Sequence, residues 1–218
     1  MSAKKMISYR SIWMGIAMLW IMAFHSKISV SSHRVLQFLI QIGYGGVDIF
    51  IFASGIGNYY SYLRDENPLA FLARRIKRLA PTYIPIILIW CIYYVSQGWI
   101  NVWNVPGNIL GVQGRSADGG SFNWYIACII ICYLITPYLA TCVKKNDLKK
   151  NLLLVIVLII ISFAFLNDHQ AIIIYTRLPI YAVGMIIAKY EEFDLTRIRF
   201  LLLLMFFAGG VFLVLSYK

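Results

Sequence analysis

Long apolar runs separated by short polar segments repeat along the chain, and they predict transmembrane helices rather than a soluble core. The shorter runs can still span a bilayer if it thins locally or if flanking side chains snorkel. We therefore predict an all-α fold, a polytopic transmembrane helix bundle of about seven spans. Their approximate bounds are 11–30, 36–60, 81–98, 123–142, 151–166, 171–188 and 200–217.

The composition agrees with a membrane protein and argues against nucleic-acid binding. Hydrophobic residues make up 61% of the chain and charged residues 13%, whereas soluble domains carry about 25% charged residues. The net charge of +11 does not indicate a nucleic-acid partner, because the basic residues lie between apolar runs. The start of the chain, with Lys4, Lys5 and Arg10 before an apolar run, resembles a signal peptide. No small-residue cleavage site follows it, so we expect a retained first helix.

The positions of lysine and arginine predict the orientation of the bundle. If the N-terminus is cytoplasmic, most of the 20 Lys and Arg residues fall in cytoplasmic segments. The exceptions are Lys27, Arg34, Arg115, Arg177 and Lys218. Because cytoplasmic loops of membrane proteins are enriched in Lys and Arg, we predict a cytoplasmic N-terminus.

Residues 43–83 join an apolar span that contains a carboxylate, Asp48, to a polar hairpin ending in four basic residues. The four are Arg74, Arg75, Lys77 and Arg78. A charge inside an apolar span is costly unless it faces protein or water, which makes Asp48 a candidate functional residue. The glycines of this stretch predict close helix packing, and the glycine-rich segment 99–122, with Pro106, predicts a loop.

Three ionisable residues from three predicted spans reach a similar depth. Helix rise places His25 about 22 Å above the cytoplasmic face, and Asp48 and Arg177 each about 18 Å above it. Intramembrane charges rarely occur unpaired, so we expect Asp48 and Arg177 to pair. Spacing alone leaves other interpretations open: the pair can be a structural clasp, Arg177 can snorkel outward, and His25 can be an ordinary polar residue near a helix end.

Five blocks of the sequence, in order along the chain, resemble the membrane acyltransferase 3 family. Two lie in the first two spans: Met14–Ser26, which contains His25, and Gly46–Gly55, which contains Asp48. The others are Arg74–Tyr83, Asn123–Pro137 and Arg177–Gly184. One position departs from the family pattern. Met14 stands where the family commonly has Arg, and Arg10 lies one turn earlier on the same helix face.

The resemblance implies an integral protein of the inner or cytoplasmic membrane, in which His25 is the catalytic residue. Members of the family move an acyl group, often acetyl from acetyl-CoA, onto cell-surface polysaccharides, lipopolysaccharide or related glycans. We therefore expect an acyl-CoA co-substrate, a glycan acceptor and membrane lipids as partners, with no tightly bound cofactor and no metal. Because the family usually has more helices, residues 1–218 are expected to form one membrane domain that is incomplete at its C-terminus.

The chemistry of acyl transfer assigns roles to the residues already singled out. His25 is the expected general base, Asp48 would orient its imidazole, and Arg177 would stabilise the oxyanion. A covalent acyl-histidine is a variant that the sequence leaves open.

Basic and aromatic residues provide candidate binding groups for the two substrates. Arg10, Arg74, Arg75 and Arg78 are expected to bind the donor phosphates, although such clusters also set topology and bind anionic lipid. Trp124 and Tyr125 are either membrane-belt anchors or a platform for the acceptor sugar.

Two other classes of function remain open from the sequence. The intramembrane Asp48, His25 and Arg177 would also suit a transporter with a proton or anion relay. A truncated and inactive acyltransferase copy is the other alternative. The four cysteines lie in or beside apolar spans and are expected to pack rather than bind metal.

Overall fold

The computed structural model describes residues 3–26, 33–110, 124–164 and 173–191. These parts of the chain are built of helices and contain no strand. The α-helices are α1 (Ala3–Ser8), α2 (Arg10–His25), α3 (Arg34–Gln41), α4 (Gly45–Leu63), α5 (Pro68–Ser96), α6 (Val105–Ile109), α7 (Trp124–Lys145), α8 (Leu148–Phe163) and α9 (Arg177–Lys189). Short 3-10 turns at Ile42–Tyr44 and Val102–Asn104 precede α4 and α6.

The helical class is confirmed, while the number of spans and the orientation stay predictions. Three stretches of the described residues are long and apolar enough to cross a membrane: Arg34–Leu63, Pro68–Ser96 and Trp124–Lys145. Helices α2, α8 and α9 overlap three further predicted spans but have only 16, 16 and 13 residues. The predicted span 200–217 lies outside the described residues.

The basic residues expected to end a polar hairpin belong instead to helix α5. A short turn, Arg64–Asn67, connects α4 to α5, and the Asn67 side chain accepts a hydrogen bond from the Ala70 amide at 3.0 Å. Pro68 occupies the first position of the helix. An asparagine cap followed by proline is a favourable helix start, so α5 begins well before the predicted span. The predicted loop after residue 99 likewise contains the short helix α6.

Helices α4 and α9 run in the same direction and touch through their backbones at two glycines. A Cβ atom added to Gly55 would lie 2.2 Å from the Tyr181 carbonyl oxygen, and one added to Gly184 would lie 2.3 Å from that of Phe52. Only residues without a side chain allow this approach, which confirms the predicted packing role of Gly55. Asp48 precedes Gly55, and Arg177 precedes Gly184, by about two helical turns. The crossing therefore brings the two charged residues to the same level.

Helix α2 packs against the opposite side of α4 and runs antiparallel to it. A Cβ atom on Gly43 would lie 2.6 Å from the Trp20 carbonyl oxygen, and one on Gly46 would lie 2.7 Å from that of Ala17. At the other end of α2, Arg10 lies against Gly57. The bundle thus has a basic end, at Arg10 and the C-terminus of α4, and an opposite end where α2 finishes.

Substituting Gly55 with alanine should strongly destabilise the bundle. The new methyl group would collide with the Tyr181 backbone, and overpacking of a packed interior typically costs about 1–3 kcal/mol or more. Gly15→Ala is the matched control, because nothing lies within 4 Å of the position its Cβ would take. Thermal unfolding in detergent compares the two, and equal melting temperatures would contradict the backbone crossing.

Candidate functional site

An ion pair between Asp48 and Arg177 lies inside the bundle, as the sequence predicts. The distance between Arg177 Nε and Asp48 Oδ1 is 3.3 Å, and the side chains are only 5% and 15% exposed. Asp48 is in the first turn of α4, where the helix dipole favours a negative charge. The pairing compensates two charges that would be expensive in an apolar interior.

Further contacts fix the guanidinium group of Arg177. Its Nη1 atom donates hydrogen bonds to the Ile173 carbonyl oxygen at 2.5 Å and to the Thr176 hydroxyl at 3.3 Å. The ring of Trp124 covers it, with the guanidinium carbon 4.8 Å from the ring centroid. The charge is therefore held by groups from α4, α7 and the turn before α9.

The pair retains capacity to bind another polar group. Asp48 Oδ1 and Arg177 Nε are buried, yet neither forms a hydrogen bond among the described residues, because their 3.3 Å contact is poorly aligned. Buried polar atoms without a partner are uncommon in proteins and often mark functional positions. A hydroxyl group entering here could accept a hydrogen bond from Arg177 and donate one to Asp48.

His25 lies at the end of the bundle opposite the basic end, as the ion pair does, but it does not join the pair. It is the last residue of α2 and is exposed, and its ring contacts that of Phe24 at 5.1 Å between centroids. Within the described parts of the chain, the partner of Asp48 is Arg177 rather than His25. Asp48 points to α9, whereas α2 packs against the side of α4 that carries Gly46. The expected contact that orients the imidazole is therefore not present in this structure.

A buried hydrogen-bond network lies one turn below Arg177 and was not predicted. The fully buried Tyr181 hydroxyl receives a hydrogen bond from Asn58 Nδ2 at 2.7 Å and contacts Thr136 Oγ1 at 2.5 Å. Thr136 also donates to the Cys132 carbonyl oxygen at 2.6 Å. The signal available in the sequence was the presence of Asn58 and Thr136 within apolar spans, since buried polar groups need partners.

At the basic end, two of the predicted donor-binding residues converge on Gly57. Arg75 Nη2 donates to the Gly57 carbonyl oxygen at 3.3 Å, and a Cβ atom on Gly57 would lie 2.7 Å from Arg10 Nη1. Arg75 also stacks on the Phe71 ring at 5.2 Å. Among the described residues, neither arginine forms an ion pair with a carboxylate. The two guanidinium groups thus form a concentrated positive charge.

The other two predicted donor-binding residues are placed differently. Arg74 bonds both oxygens of Asp65, at 2.5 and 3.1 Å, and the Ser61 carbonyl oxygen at 3.1 Å. The hydrogen bond from Arg74 holds the pKa of the Asp65 carboxyl below its usual value. Arg74 therefore closes the turn between α4 and α5, and Arg78 is exposed further along α5.

The two residues predicted to bind the acceptor sugar, Trp124 and Tyr125, both make contacts within the protein. Trp124 directs its ring at Arg177, and Tyr125, half-buried, packs against the main apolar core. The two rings lie 6.2 Å apart in an edge-on arrangement. Binding of a sugar by these residues stays a prediction.

Comparison with known protein families places most of the chain in one family model. A family model described as an acyltransferase domain, acyltransferase 3, matches residues 14–217. No curated protein and no solved structure matches the chain. The matched region includes the whole of the described site except Arg10.

Proposed function

Since the chain belongs to the acyltransferase 3 family, a family of membrane acyltransferases, we propose that it is an integral membrane O-acyltransferase of the inner or cytoplasmic membrane. Its donor is a CoA thioester, with acetyl as the expected acyl group. Its acceptor is a hydroxyl group of a cell-surface polysaccharide or related glycan. The observation that carries the proposal is the buried Asp48–Arg177 pair, because such a pair inside a membrane bundle usually serves function.

The basic end is the proposed entry point of the donor. With a cytoplasmic N-terminus, Arg10 and Arg75 face the compartment in which CoA is made. Guanidinium groups bind phosphate through paired hydrogen bonds, and these two have no carboxylate partner among the described residues. Arg10 and His25 begin and end the same helix, about 22 Å apart, so the thioester arm must extend along the bundle to reach the opposite end.

At that opposite end, His25 acts as the general base. It takes the proton of the acceptor hydroxyl while the hydroxyl oxygen attacks the thioester carbonyl carbon. Arg177 donates hydrogen bonds to the oxyanion that forms on the carbonyl oxygen. When the carbon–sulfur bond breaks, the CoA thiolate leaves and accepts the proton from His25. In this scheme Asp48 holds Arg177 in place rather than orienting His25.

The direct test is acyl transfer by the purified chain in lipid vesicles. Acetyl-CoA labelled in the acetyl group is supplied on the basic side together with a cell-surface glycan preparation. Mass spectrometry should find the label as an ester on the glycan, with release of free CoA thiol. If no tested CoA thioester is consumed although the chain is folded, the proposed function is wrong.

Replacing Arg75 with glutamine should weaken donor binding more than acceptor binding. Loss of one well-placed charged hydrogen bond costs about 1.5–3 kcal/mol, so the KM for acyl-CoA should rise about tenfold or more. Arg74→Gln is the control, because Arg74 is engaged with Asp65. Equal donor KM values for the wild type and Arg75→Gln would remove Arg75 from the donor site.

A further inference from the structure

The aromatic residue that begins α7 and the arginine that begins α9 form a contact that the acyl-transfer scheme has not used. The guanidinium carbon of Arg177 lies 4.8 Å from the centroid of the Trp124 ring. Tryptophan is the most favourable aromatic partner for a cation, and the attraction is strongest where both groups are removed from water. Arg177 is 4% exposed and Trp124 is partly buried, so the cation in this contact is shielded from water.

The remaining contacts of Arg177 show what the ring adds. Asp48 approaches Nε, and the Ile173 carbonyl and Thr176 hydroxyl accept from Nη1. These partners hold Nε and Nη1 on two different sides of the planar group, and the Trp124 ring packs against the group at its guanidinium carbon. Among the described residues, Nη2 forms no hydrogen bond. The arrangement leaves Nη2 as the donor that can meet a substrate oxygen.

We propose that Trp124 is a positioning residue that holds the Arg177 guanidinium in the orientation needed to stabilise the oxyanion. This inference rests on the proposed acyl transfer. It is an alternative to the prediction that Trp124 stacks on the acceptor sugar, because Arg177 lies over one face of the ring. Trp124 acts on the turnover step through Arg177 and makes no contact with the acceptor.

Steady-state kinetics with Trp124→Ala and Trp124→Phe distinguish the two roles. A misplaced catalytic group can lower the rate about 100-fold, so Trp124→Ala should lower kcat by about 10- to 100-fold. The acceptor KM should stay near the wild-type value, and Trp124→Phe, which retains an aromatic face, should recover much of the loss. Trp103→Ala is the control, because Trp103 is 90% exposed and should leave both constants unchanged. A raised acceptor KM with an unchanged kcat would overturn the proposal in favour of sugar stacking.

A double-mutant cycle tests the same contact without enzymatic activity. The unfolding free energies of Trp124→Ala, Arg177→Gln and the double variant are compared with that of the wild type in detergent. The two substitutions should be clearly non-additive, because each removes the same contact. Additive effects would overturn the role of Trp124 whether or not acyl transfer occurs. Clear coupling in a chain that transfers no acyl group would instead show that only the proposed function fails.

Discussion

Replacing His25 with alanine should abolish O-acylation while leaving the bundle folded. A positioned general base typically accelerates a reaction by about 10²–10⁴-fold, and no other described histidine lies within α2, α4 or α9. His25 is exposed at the end of α2, so its side chain contributes little to packing. The measurement is the amount of ester on the glycan, by mass spectrometry, in cells that carry the wild-type or the variant chain.

A second histidine provides the control for this experiment. His33 immediately precedes α3 and is also exposed, so His33→Ala should acylate at the wild-type level. Membrane amounts of both variants are compared to exclude loss of protein. Normal acylation by the His25→Ala variant would remove His25 from the mechanism.

Breaking the Asp48–Arg177 pair from either side should cost more stability than removing both charges. Asp48→Asn or Arg177→Gln leaves one buried charge without its partner, which typically destabilises a protein by about 3–5 kcal/mol. The double variant has no uncompensated charge and should recover part of that loss. Unfolding of the four forms in detergent gives the comparison directly.

The ion pair between Asp65 and Arg74 is the matched control for the buried pair. It has the same residue types, but its side chains are about a third exposed, and exposed ion pairs contribute little to stability. Asp65→Asn should therefore change the melting temperature only slightly. A small effect of Asp48→Asn, equal to that of Asp65→Asn, would show that the buried pair is not energetically important.

The pairing of Asp48 with Arg177 could be predicted from the similar depth of the two residues along their helices. Both residues were placed by counting helical rise from the same face of the membrane, and neither charge could be left unpaired in an apolar interior. The structure brings them to 3.3 Å. An estimate of depth from the rise per residue requires only that the helices are regular, and the apolar runs predict such helices.

The depth estimate could not predict whether the side chain of His25 contacts that ion pair. Height along a helix does not give the direction in which a side chain points, and that direction depends on which faces of α4 meet α2 and α9. The close approaches at Gly46 and Gly55 set those faces. The sequence showed that these glycines favour packing, but it did not show which helix each of them would meet.

The position of the basic cluster was missed for a local reason. The apolar pattern placed the start of a span near residue 81, so the preceding basic residues were interpreted as a turn. The pair Asn67–Pro68 is itself a helix start signal, and α5 begins there. The engagement of Trp124 with Arg177 could not be anticipated, because the sequence does not show which face of α7 meets α9.

The parallel crossing of α4 and α9 restricts how the lengths of these two helices can change. Inserting or deleting one residue between Asp48 and Gly55 would rotate the carboxylate by about 100° around the helix axis. It would then face away from α9. The same holds between Arg177 and Gly184, whereas residues added beyond either glycine leave the pair in place. Preservation of the ion pair should therefore exclude variation in chain length from the two segments that precede the crossing.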